Sequence, residues 1–262
     1  MGLTSRSSGL AVLQNTGQLA RRSDQLVVAL AGNPNTGKST VFNALTGLNQ
    51  HTGNWPGKTV AQAHGTYTYR NRSFLLVDLP GTYSLLASSV EEQIARDYLC
   101  FNRPDATVVV VDATCLERNL NLVLQVMEIT NKVVVCVNLI DEARRKGVLI
   151  NREALAEELG IPVVLTTARS GEGLKELRAV VLGVAEGTVT PRPRLVRYRA
   201  DVESAVSALE QAIATGVDNL SPRWVALRLL DHDEALLSSL LGSSPEGAAL
   251  QALSQEVRER WA

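Results

Sequence analysis

The chain has 262 residues, of which 45% are hydrophobic and 20% are charged, and its formal net charge is -1. These values are typical of a globular protein with one full-sized core, and the near-neutral charge argues against a basic nucleic-acid-binding domain. The three cysteines lack C-x-x-C spacing, which predicts neither a disulfide framework nor a metal site, and no apolar run approaches the ~18 residues of a membrane-spanning helix.

Residues 1–24 are polar and weakly patterned, so we predict a mobile N-terminal extension that is too hydrophilic for a signal peptide. From residue 25 to 187, strand-like runs alternate with helical stretches, as in a doubly wound, mostly parallel α/β sheet. The predicted strands are Leu26–Ala31, Phe74–Val77, Thr107–Val111, Lys132–Val137 and Pro162–Leu165, with Ala61–Tyr69 as an antiparallel edge strand of a Ras-like fold. The predicted helices are Lys38–Leu45, Val90–Phe101, Leu120–Thr130, Arg152–Leu159 and Leu174–Ala185.

The first predicted strand leads directly into a match to the phosphate-binding motif G-x-x-x-x-G-K-[ST], and a helical stretch follows it. Two glycines let backbone N–H groups wrap a polyphosphate, while Lys38 neutralises the outer phosphates and Ser39 offers a hydroxyl to Mg²⁺. The motif therefore predicts a nucleoside triphosphate site that uses Gly32, Asn33, Pro34, Asn35, Thr36, Gly37, Lys38, Ser39 and Thr40.

Two later segments are expected at the γ-phosphate. The loop Gly53–Thr59 is rich in turn-forming residues, which suits a segment that changes between ordered and disordered states. We expect Gly57, Lys58 and Thr59 to contact the nucleotide, with Thr59 as a second Mg²⁺ ligand. The segment Asp78-Leu79-Pro80-Gly81 ends a strand, where Asp78 can hold Mg²⁺ through water and the Gly81 N–H can meet the γ-phosphate. An ordinary Pro-Gly turn is the alternative interpretation of this segment.

The choice of base is expected to depend on Asn138-Leu139-Ile140-Asp141, which follows a buried strand. The Asp141 carboxylate can accept two hydrogen bonds from the guanine edge, and adenine would leave it unpaired, which favours guanine. Leu139 stands where a lysine is usual, and Asn and Asp also follow strands as helix caps. A second base-binding loop is predicted at Thr167-Ala168-Arg169, through a backbone N–H.

Near Gly187 the composition changes, and residues 188–262 are predicted to form a linker followed by a small all-α subdomain. Arginines in the linker could contact anionic lipid headgroups, although a solvated surface is the simpler interpretation. Apolar residues recur at helical spacing in two stretches, Val202, Ala205, Val206, Leu209 and Ile213, and Leu250, Leu253, Val257 and Trp261. Gly216 is predicted to end the first of these helices. Ser221-Pro222 and Ser244-Pro245 are predicted to cap the N-termini of further helices.

Together these motifs closely resemble the cytoplasmic GTPase portion of the FeoB family of bacterial ferrous-iron transport proteins. Two further segments carry the resemblance: the Asn-Trp-Pro-Gly loop and the run Asp112-Ala113-Thr114-Cys115-Leu116-Glu117-Arg118-Asn119-Leu120. The resemblance covers about residues 26–185 closely and the remainder in outline. It implies a GTPase that regulates or drives Fe²⁺ passage through a C-terminal membrane domain, at the cytoplasmic face of the bacterial inner membrane. The sequence would then be a soluble fragment whose partners are guanine nucleotide, that membrane domain and, where it assembles, a second copy.

The resemblance also bears on catalysis, for which Lys38, Asn35, Thr59 and Gly81 are the candidate residues. Thr82 occupies the position at which Ras-like enzymes carry a glutamine that orients water, so slow turnover is expected. In potassium-stimulated relatives the residue matching Asn35 helps to hold K⁺, which would neutralise transition-state charge; a plain turn role for Asn35 is the alternative. Lys58, where an apolar residue is usual in the family, could compete with that K⁺.

Three functions follow from this reading of the sequence. The first is Mg²⁺-dependent hydrolysis of GTP to GDP and phosphate. The second is a conformational switch with negligible unaided hydrolysis, which the missing glutamine favours. The third, a soluble RNA-related GTPase, is disfavoured by the neutral charge.

Overall fold

The computed structural model describes residues 24–48, 50–56, 58–86, 88–213, 220–231, 252–253 and 255–257. Two compact units divide the chain, and the boundary lies between Leu195 and Val196. Within the described residues, no helix is long and apolar enough to cross a membrane.

The first unit is built on a seven-stranded sheet with the order β2-β3-β4-β1-β5-β6-β7. Strands β1, β4, β5, β6 and β7 are parallel, and the central ones are runs of valine buried on both faces, as parallel sheets require. The mostly parallel, doubly wound α/β class predicted from the sequence is confirmed. The strands are β1 Leu26–Gly32, β2 Gln50–Asn54, β3 Ala61–Tyr69, β4 Arg72–Asp78, β5 Ala106–Asp112, β6 Val133–Asn138 and β7 Val163–Leu165.

The sheet differs from the prediction at its antiparallel end. Strand β3 pairs antiparallel with β4, as expected, but it is not the edge strand, because β2 pairs with its other side. The sequence of β2 has no apolar alternation, and its residues 51–54 are exposed, so the pattern that identifies a half-buried strand was missing. Gly53 and Asn54, predicted in a loop, therefore belong to this strand.

Helices cover the sheet and begin and end at ordinary capping residues, such as the Ser89 side chain, which accepts from the N–H of Glu92. The predicted helix over 90–101 changes at Asp97 into a π-helical turn, Tyr98–Asn102. The helix predicted from Leu120 starts earlier, after a 3₁₀ turn at Ala113–Cys115. The helices of this unit are α1 Lys38–Thr46, α2 Val90–Asp97, α3 Leu116–Ile129, α4 Ile140–Arg145, α5 Arg152–Leu159 and α6 Leu174–Ala185, of which α4 was not predicted.

The segment after α6, which looks like a free linker by composition, is tied to the first unit. The N–H groups of Arg192 and Arg194 donate to the carbonyls of Gly160 and Leu159, both at 2.9 Å. A Cβ at Gly160 would lie 2.1 Å from the Arg192 carbonyl oxygen, so this close approach requires glycine.

The second unit contains helices α7 Ala200–Ile213 and α8 Pro222–Leu230. Ser221 caps α8 by accepting from the Trp224 N–H, with Pro222 in the first turn, as predicted. Residues 252–253 and 255–257, from the predicted last helix, are helical as well. Five apolar side chains at the predicted spacing are buried: Ala205, Val206, Leu209, Ile213 and Val257. Trp224 on α8 is buried as well. Gly216, Ser244, Pro245, Leu250, Trp261 and the N-terminal extension to residue 23 lie outside the described residues.

Candidate functional site

The phosphate-loop motif forms the turn between β1 and α1, at the carboxyl edge of the parallel strands, where open α/β sheets bind ligands. The backbone conformation of this turn depends on small or permissive residues. Gly37 has φ 76° and Asn35 has φ 66°, both left-handed. A Cβ at Gly32 would lie 2.6 Å from the Val110 carbonyl oxygen. The two motif glycines are therefore required by geometry, and Asn35 occupies a position that asparagine tolerates well.

Lys38 connects this turn to the end of β4. Its ammonium donates to the Asp78 carboxylate and, at 2.7 Å, to the carbonyl of Leu79. Burial raises the pKa of the Asp78 carboxyl, and the adjacent Lys38 charge opposes that shift. The structure thus brings together one lysine and one carboxylate that the sequence assigns to phosphate and Mg²⁺.

The segment Asp78–Gly81 lies against the phosphate loop. The Thr82 N–H donates to the Gly32 carbonyl at 3.3 Å, and a Cβ at Gly81 would be 3.5 Å from Pro34. Thr82 is buried, and its hydroxyl both donates to the Ser84 carbonyl and accepts from the Ser84 N–H. A side chain bound into its own turn in this way is not placed to orient a water as a glutamine does.

Residues that the sequence did not single out hold the segment following Gly81. Glu92 accepts from the Ser84 hydroxyl at 2.8 Å and from the Ser88 N–H at 2.9 Å. The Gln125 side chain accepts from the Leu85 N–H at 2.6 Å. Only the Ser-x-x-Glu pattern of a helix cap at Ser89 could have indicated Glu92, and no local pattern indicates Gln125.

Asn138, predicted as part of the base-binding motif, joins three separate segments. Its amide nitrogen donates to the Thr36 carbonyl at 3.0 Å, and its amide oxygen accepts from the Ala168 N–H and the Thr166 hydroxyl, both at 3.1 Å. The side chain is fully buried. Asn138 therefore connects the phosphate loop to the loop after β7 by hydrogen bonds. A Cβ at Gly37 would collide with the Asn138 amide nitrogen at 2.4 Å.

Asp141 lies in the first turn of α4, two residues beyond Leu139, which has a left-handed φ of 64°. One carboxylate oxygen of Asp141, Oδ1, is buried and has no hydrogen-bond partner. A buried acceptor without a donor is costly, on the order of 1–3 kcal/mol, and a bound donor would remove that cost. This unpaired oxygen is consistent with a ligand that carries hydrogen-bond donors.

The loop Thr167–Arg169 is held by its own contacts. The Thr167 hydroxyl donates to Glu172 at 3.1 Å, and the pKa of Glu172 is lowered by hydrogen bonds from Arg144 and then from Thr167. Ala168 donates its N–H to Asn138, and Arg169 is exposed. The structure brings this loop to the phosphate loop through Asn138.

The loop after β2 is the most open part of the predicted site. Trp55 is buried, packs edge-on against Tyr98 with ring centroids 5.6 Å apart, and donates its backbone N–H to Val60 at 2.9 Å. Lys58 and Thr59 are exposed, and Gly57 lies outside the described residues. Trp55 anchors the base of this loop, a role its position in the sequence did not reveal.

The hairpin that leads into this loop carries two histidines opposite each other, His51 on β2 and His64 on β3. Their rings are stacked, with centroids 5.4 Å apart and planes 28° apart. Burial lowers the pKa of His64, and the neighbouring His51 lowers it further.

Comparisons with known proteins agree with this geometry. The family model described as "Ferrous iron transport protein B" matches residues 26–181, and that of the "FeoB cytosolic helical domain" matches residues 198–262. An Fe(2+) transport protein A/Fe(2+) transporter FeoB fusion protein of Porphyromonas gingivalis is 40% identical over 225 residues, which are 84% of this chain and 26% of the relative. The Fe(2+) transporter FeoB of Salmonella typhimurium is 38% identical over 213 residues, or 80% of this chain and 27% of the relative.

Solved structures give the same result. The cytosolic domain of the T. maritima FeoB iron transporter in its GDP form I has a TM-score of 0.77 and 39% identity, covering 90% of this chain and 94% of that one. The same domain in its GMPPNP form has a TM-score of 0.76 and 37% identity, covering 89% and 95%. The chain described here spans about a quarter of the length of the curated relatives it matches.

Proposed function

The chain belongs to the FeoB family, whose G domain is a P-loop GTPase, and from that premise we propose that residues 25–187 bind GTP and GDP and hydrolyse GTP to GDP and phosphate. Residues 188–262 would serve as the linker and helical subdomain. Relatives bound to GDP and to a GTP analogue support the choice of nucleotide.

The observation that carries the proposal is the unpaired Oδ1 of Asp141 at the same edge of the sheet as the phosphate loop. Guanine presents two adjacent donors, N1–H and N2–H₂, to such a carboxylate, and adenine presents none there. Since Asn138 binds the phosphate loop to this region, the base acceptor and the phosphate-binding N–H groups keep a fixed spacing.

At the phosphates, Lys38 is the cation that would exchange its present partner, Asp78, for β- and γ-phosphate oxygens. The hydroxyl of Ser39, which is exposed, and the carboxylate of Asp78 are hard oxygen donors of the type that Mg²⁺ prefers, and Thr59 would complete the set. Mg²⁺ supplies charge neutralisation at the phosphates when bound. The Gly81 N–H would meet the γ-phosphate, and the closeness of Gly81 to Pro34 of the phosphate loop supports this assignment.

Turnover is expected to be slow without help. Thr82 is engaged in its own turn, so no side chain at that position holds the attacking water. Asn35 is exposed, and its amide oxygen would hold K⁺ together with carbonyls of the Gly53–Lys58 loop; K⁺ beside the phosphates would stabilise transition-state charge. We therefore propose potassium-stimulated hydrolysis. The competing proposal is a switch whose unaided hydrolysis is negligible.

The relatives named as Fe(2+) transporters support a further part of the proposal. This chain would be the GTPase portion of a ferrous-iron transporter, acting at the cytoplasmic face of the inner membrane on a membrane-embedded domain of the same protein. Self-association would be one way to couple copies of that assembly.

A binding titration tests the core of this proposal. Purified chain would be titrated with fluorescently labelled GDP, GTP and ATP in the presence of Mg²⁺. We expect both guanine nucleotides to bind and ATP to bind far more weakly; failure to retain either guanine nucleotide would refute the proposal. Single-turnover phosphate release, compared with the rate of nucleotide exchange, separates the enzyme from the switch.

A further inference from the structure

The stacked histidine pair on the β2–β3 hairpin lies outside the residues assigned above to the nucleotide site. His51 and His64 are directly opposite each other in the antiparallel register, and His51, on the edge strand β2 of the described sheet, is exposed. We propose that His51 and His64 form a two-histidine binding site for a first-row divalent transition metal ion. This site is independent of the GTPase function proposed above.

The spacing of the two rings suits chelation of one ion. Imidazole nitrogens bind such metals at about 2.0–2.1 Å, so two imidazoles at a tetrahedral angle have ring centroids roughly 5 Å apart. The observed separation is 5.4 Å. Because the cross-strand pairing fixes the two Cα atoms, only side-chain rotation is needed to aim one nitrogen of each ring at a shared ion.

The bonding state of His64 supports a ligand at this position. Its Nδ1 atom is buried and has no hydrogen-bond partner. A neutral imidazole nitrogen in that situation costs stability on the order of 1–3 kcal/mol, and coordination would satisfy its lone pair. His51 is exposed and is free to adjust its ring.

The donor type determines which metals fit. Imidazole nitrogen suits Fe²⁺, Co²⁺, Ni²⁺, Cu²⁺ and Zn²⁺, whereas Mg²⁺ prefers oxygen. Two histidines leave the remaining coordination positions to water. Three further residue pairs, ending at Asn54 and Ala61, separate the histidines from the exposed loop that carries Thr59. A bound metal would cross-link β2 and β3, the two strands that lead into and out of that loop.

Calorimetric titration of the complete chain with Zn²⁺, without nucleotide, tests the site. We expect one ion per chain, and roughly tenfold or greater weakening in His51→Ala and in His64→Ala, since one imidazole alone cannot chelate. His232→Ala is the matched control, because it removes the only other histidine of the sequence and should leave the affinity unchanged. Millimolar Mg²⁺ should not compete.

The exposed position of His51 keeps the test decisive, because its removal should not disturb folding. Equal thermal unfolding temperatures of parent and His51→Ala without metal would establish that. Co²⁺ provides a second readout, since its paramagnetism should broaden the ring NMR signals of both histidines. Zn²⁺ affinity in His51→Ala within twofold of the parent, or loss of binding only in His232→Ala, would overturn the assignment while leaving guanine nucleotide binding untouched.

Discussion

The two sides of the candidate nucleotide site differ in how completely they are assembled. On the base side, Asn138 is fully buried and makes three hydrogen bonds, to the phosphate loop and to the loop after β7, and Asp141 lies at the start of α4. On the opposite side, the loop after β2 has one buried anchor, Trp55, while Lys58 and Thr59 are exposed.

This difference indicates a division of labour. Ordering a loop costs on the order of 1–2 kcal/mol per residue, so an open loop closes only when a ligand contact compensates for that cost. The preassembled side should therefore bind the parts common to GDP and GTP, whereas the open loop should respond to the γ-phosphate. Changes on the first side should affect both nucleotides alike, and changes on the second side should affect GTP alone.

The largest effect is expected from Lys38→Ala, in the phosphate-binding motif that Asn138 ties to the base side. The variant removes the buried ammonium that we propose neutralises the phosphates, and its hydrolysis rate should fall roughly 10³-fold. The measurement is phosphate release under saturating GTP and Mg²⁺. Lys175→Ala, at an exposed position of α6, is the control and should behave like the parent. A Lys38→Ala rate within threefold of the parent would contradict the proposed site.

Asp141→Asn should weaken GDP and GTP equally, by about 3 kcal/mol or roughly 150-fold, because two hydrogen bonds to a charged acceptor are lost. Xanthosine nucleotides, whose base offers an acceptor in place of the N2 amine, should gain affinity. Equilibrium titration with labelled nucleotides gives both numbers, and Glu142→Gln, the neighbouring half-buried carboxylate, serves as the control. Unchanged affinities for GTP and xanthosine triphosphate would exclude guanine recognition by this residue.

Thr59→Ala is predicted to distinguish the contribution of the open loop from that of the preassembled side. Loss of one hydroxyl ligand in the open loop should reduce binding of a non-hydrolysable GTP analogue by about tenfold and leave GDP affinity unchanged. Thr52→Ala, an exposed threonine on β2 of the same hairpin, controls for altered loop stability. Equal losses for both nucleotides would show that the loop belongs to the preassembled part.

The smallest effect concerns Asn35. If its amide oxygen helps to hold K⁺, turnover in KCl should exceed that in NaCl by a few-fold to about tenfold, and Asn35→Gly should abolish the difference. Glycine is the suitable replacement, because it accepts the left-handed φ of 66° at this position and removes only the side chain. Equal parent rates in the two salts, or full stimulation in Asn35→Gly, would leave Asn35 as a turn residue.

The sequence by itself determined the features that depend on local order. The phosphate loop, the parallel strands, the cap at Ser221 and the fold class follow from short patterns, because hydrophobic period and glycine placement constrain the backbone within a few residues. Asp141 could be chosen as the base acceptor because it directly follows a buried strand.

Tertiary structure alone decided which distant residues meet. The hydrogen bond from Asn138 to Thr36 joins residues 102 positions apart in the sequence. The pairing of His51 with His64 depends on the register of β2, whose polar sequence has no strand pattern. Likewise, nothing near Trp55 predicts its burial against Tyr98. Such contacts arise when elements pack, and their partners are set by strand order and register, which no single segment encodes.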